Sequence, residues 1–293
     1  MARQLLVPLV IAAIGYCAVS ASCTAQAPDQ SPSVVKQIDH ILIESSEARE
    51  LFTLLSDTLQ FPVVWPLSDY GSFASGGVAL GNVNLEILKA ADSTVKSRFV
   101  GFALEPKPLR TVLTELKARR IPHGLPSPFR SRQPNGSMTT LWTTVGLPDI
   151  SSDGVNVFFC EYGHNVLAQR RRLDEQLKSR DGGPLSAHSV REVVVGIRDV
   201  KRIQVHWQTL LNPLEVSSQR VWSVGTGPAI RLIQADKDEI RGLVVNVTSM
   251  QQARRFLKAH GLLDSEQSAT ITLAGSQLKG LNITLVEQRS KGS

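Results

Sequence analysis

Residues 36–90 read KQIDHILIESSEARELFTLLSDTLQFPVVWPLSDYGSFASGGVALGNVNLEILKA, and they spell one complete folding unit. QIDHILIES is an apolar strand. In SEARELFTLLSDTL the apolar residues Ala48, Leu51, Phe52, Leu55 and Leu59 recur at helical spacing. Three short extended pieces follow: VVWPLSDYG, FASGGVALG with glycines at its turn, and NVNLEILKA. A helix with one apolar face must bury that face on one side of the neighbouring sheet. The stretch therefore predicts a βαβββ module.

The same order recurs downstream. RFVGFALEP (strand) and LRTVLTELKARRI (helix) precede a Pro- and Gly-rich loop over 122–136, then the strands TTLWTTVGL and VNVFFCEYG. A third pass runs from REVVVGIRD through the helix VKRIQVHWQTLL to LEVSSQRVWSVG and PAIRLIQA. A fourth runs from IRGLVVNVT through SMQQARRFLKAHGLL to SATITLAG and LNITLVEQ. DHILIESS matches EVVVGIRD locally, and VNVFFCEY matches LNITLVEQ. Four cycles in one order outweigh either match, because internal repetition is a stronger signal than a single motif. The polar stretch QRRRLDEQLKSRDGGPLSAHS (169–189) lies between the second and third cycles and reads as a connection, its basic residues solvated beside Asp174 and Glu175.

IDHILI opening a βαβββ unit and NVNLEIL closing it resemble the vicinal oxygen chelate superfamily, which includes glyoxalases, extradiol dioxygenases and antibiotic-resistance proteins. The resemblance covers nearly all of residues 36–288. It implies an α+β fold of four βαβββ modules paired into two glyoxalase-like (VOC) domains, residues 36–168 and 186–288, joined by a linker over 169–185. In that superfamily paired modules curl into a cup, with metal ligands on the first and last strand of each. Carried onto this chain, the resemblance implies His40 and Glu86 as ligands from module one and Glu161, the catalytic carboxylate, from module two. Gly101 falls at the remaining position and offers no side chain. One imidazole and two carboxylates suit Fe, Mn or Zn as a divalent metal cofactor. Strand alternation places Ile41, Ile43, Leu85 and Ile87 on the helix side, leaving His40 and Glu86 for the cup. By the same rule Cys160, next to Glu161, faces the packed layer.

Trp65, Tyr70 and Trp142 are candidate walls of a substrate pocket, and Arg130, Arg132 and His164 candidate polar contacts from nearby loops. In the second domain the ligand positions fall on Glu192, Arg231, Gly242 and Glu287. An arginine repels a cation and pairs with a glutamate, so this half reads as a degenerate copy, with Arg231 bound to Glu192 or Glu287. Two functions follow. One is a metal-dependent enzyme acting on a small oxygen-bearing substrate, of isomerase, lyase or ring-cleaving dioxygenase type. The other is a metal-free protein that binds or sequesters a small molecule.

The net charge of +6 comes from dispersed basic residues with no aromatic-flanked basic stripe, which argues against a nucleic-acid partner. Phosphate loops, G-x-S-x-G elbows and H-E-x-x-H pairs are absent from the sequence. Residues 1–22 have the layout of an export signal: Arg3, an apolar stretch from Leu5 to Val19, then Ser20, Ala21 and Ser22. Cleavage after Ala21 or Ser22 would release a secreted or periplasmic protein. Alternatively Ser20-Ala21-Ser22-Cys23 reads as a lipoprotein signal, a lipid on Cys23 being the one membrane attachment expected. Residues 23–35 then form a flexible tether. With Cys17 and Cys23 assigned to the leader and its junction, Cys160 is the sole cysteine of the folded body, so a disulfide framework within that body is ruled out.

Overall fold

The computed structural model of the chain describes residues 32–90, 94, 96–133, 135–163 and 165–288. The leader, Cys23 and His164 lie outside the described residues. Residues Val35–Ser45 (β1), Ala48–Thr53 (α1), Val63–Asp69 (β2), Phe73–Leu80 (β3) and Val83–Ala90 (β4) form the first module. A π-helical turn, Leu54–Thr58, extends α1. The second module comprises Ser97–Pro106 (β5), Leu109–Ala118 (α2), Ser127–Arg132 (β6), Met138–Gly146 (β7) and Asn156–Tyr162 (β8). Their strands share one sheet in the order β2-β3-β4-β1-β5-β8-β7-β6, symmetric about the antiparallel β1–β5 pair.

A helix, α3 (Leu167–Lys178), connects this sheet to the next. The third module is Ala187–Ile197 (β9), Val200–Leu211 (α4), Val221–Trp222 (β10) and Ala229–Gln234 (β11). The fourth is Glu239–Val247 (β12), Met250–Ala259 (α5), Leu263–Gln267 (β13), Thr270–Leu273 (β14) and Ile283–Glu287 (β15). They build a second sheet, β10-β11-β9-β12-β15-β14-β13. In every module the first and last strands pair in parallel: β1 with β4, β5 with β8, β9 with β11, β12 with β15.

Three sequence expectations need correction. The third module is βαββ, because LEVSSQRVWSVG contributes just Val221–Trp222 to the sheet. The segment expected as a loop over 122–136 contains edge strand β6, whose pairing with β7 carries Arg130 and Arg132. β1 starts within the expected tether, at Val35, and Val34 and Val35 are buried. The polar connection between the sheets is helical over α3, which ends ahead of the Gly182-Gly183-Pro184 breaker.

The described residues form one compact unit with a continuous apolar core. Phe102 of β5 stacks on Trp207 of α4, ring centroids 5.9 Å apart. Arg119, after α2, donates to the carbonyls of Thr209, Leu210 and Asn212 at 3.3, 3.2 and 3.1 Å. Carbonyls at a helix end lack intrahelical partners, so this guanidinium fastens the first sheet's helix layer to the end of α4.

Candidate functional site

A cavity of about 440 Å³ occupies the concave side of the first sheet. The apolar side chains of Ile41, Ile43, Leu85 and Ile87 are in the core on the opposite side, and His40 and Glu86 are in the cavity wall. Trp65, Tyr70 and Trp142 also line it. Arg130 and Arg132 are exposed and lie outside the wall. Seven aromatic side chains face this space in a chain with 9 Phe, 4 Trp and 3 Tyr, so close to half of its aromatic residues converge on one cavity.

The polar floor is built around His40. Its Nε2 lies 3.3 Å from Glu86 Oε2 and its Nδ1 2.6 Å from Asp39 Oδ2. Neighbours in a regular strand point to opposite faces, yet Asp39 and His40 touch. The cause is a β-bulge: β1 pairs with β5 at Ile38 and again at His40, leaving Asp39 as the extra residue. Asp39 is almost fully buried and satisfied on both oxygens. Tyr162 donates its phenol proton to Oδ2 at 2.8 Å, and the Arg170 guanidinium of α3 binds Oδ1. The other end of Arg170 binds Glu105, which also receives Lys36. Glu86 accepts a hydrogen bond from Ser75 Oγ at 2.7 Å, and Ser75 accepts one from Trp65 Nε1 at 3.1 Å.

These contacts set the protonation states. Burial opposes ionisation of Asp39, but the hydrogen bond and charge of His40, with Arg170 and Tyr162, outweigh it and hold the carboxyl below its usual range. Burial would depress His40, yet Asp39 and the charge of Glu86 raise it despite Arg170. Burial, reinforced by Asp39, pushes the Tyr162 phenol well up. Desolvation opposes ionisation of Glu105, whereas Arg170 and Lys36 lower it. Asp39, Tyr162 and Ser75 join the site without a motif that marks them in the sequence. Arg170 is ion-paired, where its basic run predicts a solvated residue.

Glu161 is not in the cavity. Its carboxylate accepts the Leu109 amide at 2.7 Å, at the start of α2. β8 presents Phe158, Cys160 and Tyr162 to the cavity instead, the reverse of the expected parity. Burial pushes the Cys160 thiol well above its ordinary range, with Asp39 and Glu86 adding to the effect, so it is a neutral wall residue. Glu287 repeats the device of Glu161, accepting the Met250 amide at the start of α5 at 3.3 Å. The glutamate shared by VNVFFCEY and LNITLVEQ thus serves the helix end, where unpaired amides and the helix dipole favour a carboxylate.

The ladder register gives the true counterparts. His40 pairs with Asn84 and Gly101 with Asn156, so Glu86, two residues on, corresponds to Phe158. By the same rule Glu192 and Arg231 are the third module's pair, and Gly242 and Thr284 the fourth's. All four first strands bulge one residue before this position, at Asp39, Val100, Arg191 and Arg241.

No family model and no curated protein matches the sequence. Solved structures do match. A variant of 4-hydroxymandelate synthase from Streptomyces coelicolor superposes with a TM-score of 0.59 at 12% identity, over 89% of this chain and 94% of that one. The homoprotocatechuate 2,3-dioxygenase of Arthrobacter globiformis gives 0.55 at 11%, over 88% and 81%. The fold is that of the vicinal oxygen chelate superfamily. A Mn(II)-bound glyoxalase from Novosphingobium aromaticivorans shares this vicinal oxygen chelate fold with a TM-score of 0.55 at 10% identity, over 88% and 84%.

Does this cup suit a divalent metal of the kind that glyoxalase holds? Of the four positions, His40 and Glu86 carry donors and Gly101 and Phe158 do not. Gly101 has no room for one, since a Cβ there would run into the Asn156 carbonyl oxygen. Among the described residues no group of three or more His, Cys, Asp or Glu side chains is disposed to hold an ion. Asp39 is engaged by three partners. The residues present do not fit a three-ligand site.

Proposed function

We propose that this chain is a metal-free binding protein that holds a small aromatic compound in the cup of its first sheet. The observation that carries this reading is the pairing register, which sets Gly101 and Phe158 where a chelating site needs donors. A phenyl ring contributes packing area in place of a ligand atom, and the other aromatic walls extend that choice around the cavity. Phe129 and Trp142 are already stacked, centroids 4.3 Å apart and planes within 9°. The metal-dependent alternative, an isomerase, lyase or dioxygenase, is favoured by the approach of His40 Nε2 to Glu86 Oε2 and by the Mn(II)-bound glyoxalase that shares the fold.

The two readings separate on metal content and on ligand-induced quenching of tryptophan fluorescence. Purified protein with substoichiometric metal, unaffected by His40→Ala or Glu86→Ala, and quenched by planar aromatic compounds in the presence of chelator, is the expected result. Stoichiometric Fe, Mn or Zn lost from both variants would establish the alternative. The leader-like residues 1–22 support export of this binding protein, and accumulation in the cytoplasm with an intact N-terminus would count against it.

A further inference from the structure

We propose that the cup selects planar aromatic cations, an inference that rests on the metal-free binding site above. The Trp65 indole lies over Gly77, so close that a Cβ at Gly77 would stand 2.6 Å from the ring. Gly77 pairs across the ladder with Glu86. Trp65 is tied to that carboxylate through Ser75, so a ring stacked on the indole carries its edge toward Glu86. On the second module's side the Phe129–Trp142 stack supplies another flat wall.

Charge decides what that edge should be. The Asp39 side chain is 1% exposed and both its oxygens are occupied. Arg170 lines the cavity, but its two terminal nitrogens each bind a carboxylate, Asp39 and Glu105. Glu86 is 18% exposed, and a carboxylate accepts more hydrogen bonds than the two contacts it has from Ser75 and His40. The accessible charged acceptor is therefore an anion set beside aromatic faces. The negative face of a ring also attracts cations, so wall and carboxylate favour the same sign of ligand charge. A protonated amine or ring nitrogen on a fused aromatic system satisfies both in a cavity of about 440 Å³.

The test uses three probes of one shape on the full mature chain, with chelator present: aminoacridine as the cation, anthracenemethanol as the neutral compound and anthracenecarboxylate as the anion. Dissociation constants come from tryptophan quenching, confirmed by calorimetry. Aminoacridine is expected to bind at least about tenfold more tightly than the neutral probe, a gap of about 1.4 kcal/mol, and the anion most weakly. Glu86→Gln should bring the cation within about twofold of the neutral probe. Equal binding of cation and neutral, tightest binding of the anion, or a preference that survives Glu86→Gln would overturn the inference and leave the metal-free reading standing. If none of the probes binds until Mn(II), Fe(II) or Zn(II) is added, the underlying reading fails instead. Should Glu86→Gln not fold, the three-probe comparison on the unaltered chain decides between selection for cations and its absence.

Discussion

At the same three positions the two sheets carry the same triad with its charges reversed. In the first, acidic Asp39, basic His40 and acidic Glu86 are joined by contacts of 2.6 and 3.3 Å. In the second, basic Arg191, acidic Glu192 and basic Arg231 are joined at 3.3 and 3.2 Å. The middle residue is buried in both, and the outer two reach it for the same geometrical reasons. A bulge brings the preceding residue to its face, and parallel pairing brings in the last strand. The approach of His40 to Glu86 therefore needs no metal to explain it. The fold brings two groups into contact here, and complementary partners are favoured because an unpaired buried charge is costly. The first sheet carries an aromatic cavity beside its triad.

The largest expected effect breaks the first triad at its base. Asp39→Ala leaves His40, Tyr162 and Arg170 without their shared acceptor and should lower unfolding free energy by about 3–5 kcal/mol, read from denaturant melts. A loss under about 1 kcal/mol would mean the network does not stabilise the fold. Arg231→Glu in the second sheet should cost about 2 kcal/mol, less than a buried pair because Arg231 is 32% exposed and Glu192 retains Arg191. Adding Glu192→His recreates the His40–Glu86 arrangement and should recover part of that loss. Additivity of the two changes in a double-mutant cycle would refute the equivalence of the triads.

Glu161→Ala and Glu287→Ala should each cost about 1 kcal/mol through the exposed helix amides, and Glu161→Ala should leave probe affinity unchanged. Weakened affinity in that variant would return Glu161 to the binding site. The smallest effect is a pH slope. His40 is raised by its partners, so its contribution is complete below about pH 6.5 and is lost as pH rises through its folded value. Asp39 is lowered, so its contribution is present above about pH 3.9 and is lost as pH falls through its folded value. Stability should decline above pH ~6.5 by a fraction of ~1.4 kcal/mol per unit, and His40→Gln should flatten that decline. The second sheet has no titrating imidazole at its triad, so an unchanged slope would assign the titration elsewhere.

Repetition, the helix faces and the side of the sheet to which Ile41, Ile43, Leu85 and Ile87 belong are legible in the sequence, because apolar periodicity is a local property of the chain. So is the opposition of charge in the second half, although Arg231 pairs with Glu192 and Glu287 does not take part. Membership of the cup is decided by tertiary structure. A bulge depends on what the partner strand does, so alternation counted along β1 cannot bring Asp39 beside His40. Strand pairing likewise sets the parity of β8, turning Cys160 inward and Glu161 to a helix end. Arg170 lies 131 residues from Asp39. A basic residue in a polar run looks solvated until the fold lays its helix across the cup, because the energy that orders it comes from partners distant in the sequence.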